Sequence, residues 1–212
     1  MRNRLFNPDN GLMITFGQIS DCIFLSLFFV LGCMPVLTSG VSVAALYDAT
    51  FRAFRKGEKN SWNRFFHVFK SNWKASLLPT LVFLPLLWLL LKGAVGIWNS
   101  VAAGEMSWML FSALALLLVL ALGMLSLIFP MLSRFENSFL SLMKNSFLLS
   151  LANLPRTLVL GLINAVSIYL VLRFVVPLFF LPSLSALLGS LLIEPMFRPF
   201  LPTEENVDNT EE

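Results

Sequence analysis

Charge is scarce in this chain. Lys, Arg, Asp and Glu make up 13% of its 212 residues, about half the share of a soluble domain, which leaves few ionised groups to solvate a globular surface. Histidine occurs once, at His67. A multi-histidine metal centre is thereby excluded, and no serine or cysteine nucleophile has a histidine that the sequence places beside it. There is no G-x-x-x-x-G-K-[ST] phosphate loop, no G-x-G-x-x-G after a strand and no H-E-x-x-H, so nucleotide hydrolysis has no recognised carrier. Cysteine occurs twice, at Cys22 and Cys33. Both lie in one apolar run, about 16 Å apart if helical, too far for a disulfide. The expectation is a chain that is not an enzyme, with no catalytic residue, no cofactor and no metal.

Apolar residues fill the space that charge leaves. They make up 57% of the chain, with a mean hydropathy of +0.79, which marks a membrane protein whose first partner is the lipid bilayer. Runs of bilayer-crossing length recur at 19–37, 77–98 and 106–132. A longer one over 157–193 is divided by Arg173, with Pro177 close behind, into 157–172 and 174–193. The expected fold class is all-α: a polytopic membrane helical bundle with five clear transmembrane helices, a short sixth and amphipathic cytoplasmic interface helices. Residues 1–200 form a single integral membrane domain. The last twelve, 201–212, carry Glu204, Glu205, Asp208, Glu211 and Glu212 and are expected to be a disordered acidic tail. The first run follows some twenty residues that include Asp9 and Asp21, so it reads as a retained helix rather than a cleaved signal. The formal charge of +3 does not indicate nucleic acid, because the basic residues flank apolar runs and face lipid head groups.

The sixth crossing is the open element. Residues 41–55 span about 23 Å as a helix, short for a bilayer, and include Asp48. They also carry Ser42, Ala44, Ala45 and Ala49, small residues that let membrane helices approach closely, with Pro35 and Gly40 making the turn before them. If this segment crosses, it must be an inner helix covered by protein; the alternative is a helix lying in the interface. With five crossings the basic residues divide eleven inside against four outside, and with six they divide thirteen against two. The positive-inside rule favours six, with both termini cytoplasmic.

Residues 61–76, "SWNRFFHVFKSNWKAS", place Trp62, Phe65, Phe66, Phe69 and Trp73 at helical spacing on one face, with Asn63, Arg64, His67, Lys70 and Lys74 on the other. That is the pattern of a helix in the cytoplasmic interface, capped by Asn60 or Ser61. It is either a membrane-surface belt or a docking surface made by Trp62, Phe65, Phe66, Phe69, Trp73, Arg64, Lys70 and Lys74. An echo of it follows: "KSNWKASLLPTLV" from Lys70 resembles "KNSFLLSLANLPRTLV" from Lys144 once two or three residues are inserted, so 134–153 is expected as a second interface helix. Each segment would lead through Pro79 or Pro155 into an outward-going crossing.

Polar groups at membrane depth are the remaining candidates for chemistry. Asp48 either serves a proton or cation path or pairs with Arg52, one helical turn on. Asn164 either binds a substrate or makes an interhelical hydrogen bond.

Three blocks, the opening "NPDNG", "MPVLTSGVSVAALYDATFRAFRKGE" and "RFENSFLSLMKNSFLLSLANLPRTL", resemble the YesL-like bacterial integral membrane proteins. The resemblance runs from about Asn7 to Phe200. It implies a multi-pass protein of a bacterial cell membrane without an established activity, often associated with carbohydrate uptake and the use of plant polysaccharides. It also implies that Pro35, Thr38 and Gly40 form a structural turn and that Ala45, Leu46 and Tyr47 belong to a small-residue helix. The leading expectation is therefore an accessory, partner-binding membrane component, whose partner would be a carbohydrate transporter permease subunit. A small secondary transporter or channel, working as a homo-oligomer, is the alternative. A membrane enzyme acting on lipid-linked substrates comes third.

Overall fold

The computed structural model describes residues 11–58, 60–104, 108–134 and 139–197, the side chains of 11–16 excepted. Arg2 and Arg4, the acidic tail over 201–212, the start of the run expected at 106 and the 135–138 part of the second interface helix lie outside the described residues. Those residues form helices and no strand: α1 (Gly11–Cys33), α2 (Ser39–Arg55), α3 (Ser61–Ala102), α4 (Trp108–Arg134), α5 (Phe139–Ala152), α6 (Leu154–Arg173) and α7 (Leu181–Phe197), with 3-10 turns at Val36–Thr38 and Val176–Phe179. Three of them, α3, α4 and α6, are long and apolar enough to cross a membrane. Gly17–Cys33, α5 and α7 are apolar but shorter.

α2 is the hub. It packs against α1, α3, α4 and α7, and eleven of its 17 residues are buried, so it does not lie along a surface. Ser42, Ala44, Ala45 and Ala49 are fully enclosed, and their small side chains are what allow four neighbours to come so close. Gly32 faces Ser42 while Leu25 packs with Ala45, Leu46 and Ala49, so α1 and α2 run antiparallel. Between them Pro35 opens the 3-10 turn and the Thr38 hydroxyl is shared between the carbonyls of Gly32, at 2.6 Å, and Pro35, at 2.8 Å. Gly40 is not part of this turn. It sits in the first turn of α2, where a Cβ would collide with Thr80 of α3 and Phe129 of α4.

The expected boundary between an interface helix at 61–76 and a crossing at 77–98 is absent: α3 is one helix of 42 residues, about 63 Å long against a hydrocarbon core of about 30 Å. Pro79 and Pro85 lie inside it, which deprives the carbonyls of Ala75 and Leu81 of their helical donors without ending the helix. Asn60 makes no side-chain cap, and the Ser61 hydroxyl donates instead to Asp21 of α1 at 2.9 Å. The second segment of the sequence echo behaves differently. There the helix is interrupted at Asn153, so α5 and α6 are separate and Pro155 falls in the first turn of α6.

The echo nevertheless has a common geometry. The Thr80 hydroxyl donates to the carbonyl of Ser76 at 2.7 Å, and the Thr157 hydroxyl lies 3.1 Å from the carbonyl of Ser150. All four residues are buried. Thr80 packs against Gly40 of α2, and Thr157 against Gly123 of α4. Each segment thus sets a threonine on a glycine of an earlier helix, giving two related units, α2–α3 and α4–α6.

Candidate functional site

Asp48 is the fully buried carboxylate on which three arginines converge. Arg52, one turn along α2, places Nε 3.2 Å from Oδ2. Arg64 of α3 places its own Nε 2.5 Å from the same oxygen, and Arg134, the last residue of α4, brings Nε to 3.6 Å from Oδ1. Arg134 also donates through Nη2 to Glu194 of α7 at 2.7 Å, and Glu194 accepts the Tyr47 hydroxyl at 2.9 Å. Arg52 reaches outward to Glu58 at 3.1 Å.

The arrangement answers two physical demands. A carboxylate removed from water must be paired and hydrogen-bonded. Arg52, Arg55 and Arg134 also stand in the last turns of α2 and α4, where cations offset the partial negative charge of the helix ends. The Arg134 guanidinium lies 4.5 Å above the Phe51 ring, which gives its face an apolar and electrostatically favourable seat. Its Nε is buried without a hydrogen-bond partner among the described residues. Four helices, α2, α3, α4 and α7, are tied through this one cluster.

The pairing of Asp48 with Arg52 is the local i,i+4 contact read from the sequence; Arg64, Arg134, Glu194 and Tyr47 complete it from elsewhere. Arg64 was expected on an outward polar face, but it points to Asp48. Glu194 had a usable signal, because it is the only carboxylate between residues 139 and 203, and a lone charge in an apolar run needs a partner. Asn164 stands apart from the cluster. Its Nδ2 donates to Ser126 of α4 at 2.8 Å and to the Leu160 carbonyl at 2.9 Å.

The aromatic stripe on α3 is divided. Phe65 is 1% exposed and packs with Leu25, Ala45 and Val68, while Phe69 is half-buried beside it. Phe65 is therefore a core residue and unavailable to a partner. Trp62, Phe66 and Trp73 are exposed, and so are His67, Lys70 and Lys74. Aromatic and basic side chains consequently share one outward face instead of occupying opposite ones, and the Lys74 ammonium lies 5.9 Å from the Trp73 ring centre.

These features define a helical chain with membrane-length apolar segments and a buried ionic hub, a class set by architecture and not by chemistry. Within it, residues 22–94 match the family model described as "Protein of unknown function, DUF624". The match covers the second half of α1, all of α2 and α3 as far as Ala94, so it includes Asp48, Arg52 and Arg64 but neither Arg134 nor Glu194. No curated protein and no solved structure matches the chain.

Proposed function

We propose that the protein is a non-enzymatic, multi-pass component of a bacterial cell membrane that binds another membrane protein through α3. The observation that carries this reading is the outward face made by Trp62, Phe66, Trp73, Lys70 and Lys74, which is exposed over a little more than three turns of a helix anchored at Arg64. Exposed aromatic rings make effective contact surfaces, because each ring brings apolar area at a small cost in conformational freedom.

Six crossings with both termini in the cytoplasm fit this reading. They are supported by the antiparallel packing of α1 on α2, by the enclosure of α2 and by the charge bias of the loops. The resemblance to YesL-like proteins supports a carbohydrate-uptake setting, with a sugar-permease subunit as the partner. A transporter role loses its best residue, since Asp48 is fully buried, engaged by three guanidinium groups and absent from the walls of both internal cavities.

The test is to tag the C-terminus, extract the membranes of cells grown on a complex polysaccharide with a mild detergent, and identify co-purifying subunits by mass spectrometry. A stoichiometric sugar-permease subunit is expected, lost on Trp62→Ala, Phe66→Ala and Trp73→Ala in a protein that still runs as a folded species. A homogeneous oligomer of this chain alone would overturn the proposal.

A further inference from the structure

A cavity of about 250 Å³ lies inside the bundle between α2, α4, α6 and α7. It exceeds the roughly 150 Å³ that suffices to take up benzene in an engineered apolar cavity. A second cavity, of about 200 Å³, shares the wall formed by Val43, Ser126, Asn164 and Ile168. Both lie where the α2–α3 unit meets the α4–α6 unit. Most of the larger cavity is apolar, and its rim includes Ile168 and Leu172, both exposed, so in a bilayer it opens toward hydrocarbon.

The polar atoms on its wall are of one kind. Asn164 sets its orientation through Leu160: a carbonyl only accepts, so the amide atom 2.9 Å away must be the NH₂ group. The two hydrogens of that group go to Leu160 and Ser126, and Oδ1 receives no hydrogen bond from any described residue. The hydroxyls of Ser126, Ser167 and Ser185 each donate to a carbonyl of their own helix, at 2.8, 2.7 and 2.8 Å, and Tyr47 donates to Glu194. Pro130, also on the wall, supplies no N–H to the carbonyl of Ser126. Every side-chain hydrogen is committed and the acceptors are left over. A fitting molecule must therefore donate hydrogen bonds, be otherwise apolar and carry no charge, because no ionised side chain among the described residues lines the cavity.

We infer that this cavity binds a neutral membrane lipid with a free hydroxyl, its hydroxyl donating to Asn164 Oδ1 and its tail leaving past Ile168 and Leu172. The site is separate from the outward face of α3 and does not depend on a protein partner.

The test uses the full chain in phosphatidylcholine nanodiscs, whose lipid has no hydroxyl to donate. The probe is a sixteen-carbon alcohol bearing a mid-chain diazirine, competed by hexadecanol or by hexadecyl methyl ether. Photolabelling is expected on peptides that contain Ser126 or Asn164, with the alcohol competing about fivefold better than the ether, the factor one hydrogen bond supplies. Asn164→Leu should remove that preference. Ile168→Trp, at an exposed position on the rim, should block the mouth and abolish labelling. Equal competition by alcohol and ether would reduce the site to a generic hydrocarbon pocket and overturn the inference. Labelling that persists in Ile168→Trp, or that falls on other peptides, would also overturn it.

Discussion

Gly161 of α6 lies against the backbone carbonyl of Val119 in α4, with no room for a single methyl group between them. Four residues earlier, Thr157 meets Gly123 in the same way. Gly161→Ala and Gly123→Ala should each force the helices apart and cost about 1 to 3 kcal/mol, read as a lower unfolding midpoint in detergent. Gly96→Ala is the control. No atom of the described residues lies within 4 Å of its would-be Cβ, and relief of the helical glycine should raise stability by about 0.5 to 1 kcal/mol.

Asp48→Asn should be far more damaging than a surface change. It leaves Arg52, Arg64 and Arg134 facing one another around a neutral amide, and breaking a buried pair costs about 3 to 5 kcal/mol. Adding Arg64→Met should restore part of the loss, because Asp48 is the carboxylate that Arg64 pairs with among the described residues, and the Arg134–Glu194 pair is left intact. An SDS-unfolding series on the single and double variants measures both effects. If Asp48→Asn unfolds like the wild type, the cluster does not hold the four helices together.

Neighbouring aromatics on α3 should separate cleanly by assay. Phe65→Ala removes a core side chain and should cost about 3 to 5 kcal/mol in stability. Trp62→Ala and Trp73→Ala should leave the unfolding midpoint within about 0.5 kcal/mol while weakening partner capture. A fall in stability for the exposed pair would mean that they are packed in the membrane-embedded protein.

Topology is open to labelling in a background without Cys22 and Cys33. Ala103→Cys should react with an impermeant maleimide on intact cells, and Lys56→Cys only after permeabilisation, because they flank α3 at opposite ends. With six crossings, Asn3→Cys behaves like Lys56→Cys. Labelling of Asn3→Cys from outside would leave five.

The parts of this fold legible in the sequence are those set by local spacing. Asp48 and Arg52 fall one turn apart, and the small residues of α2 announce a helix that must be closely packed. Less legible was whatever depends on how helices cross. Arg64 and Arg134 reach Asp48 from 16 and 86 positions away, and no periodicity reports that. Polarity changes near residue 76 and suggests a helix boundary there, while backbone hydrogen bonding, indifferent to side-chain polarity, carries α3 through. The five aromatics of α3 form an arc about 100° wide. Phe65 lies at one edge and Phe66 at the other, so a neighbour that covers one edge takes Phe65 into the core and leaves Phe66 outside.

The enclosure of α2 also sets an order of events during synthesis. A segment buried by its neighbours at eleven of 17 positions gains little from partitioning into lipid by itself, and α2 owes its seat to helices made before and after it. Tyr47 waits for Glu194 and Arg55 for the Ser190 carbonyl, both in α7. The second helix to emerge from the ribosome is thus among the last to be locked, and a chain truncated before α7 would expose its ionic hub to the quality-control machinery of the membrane.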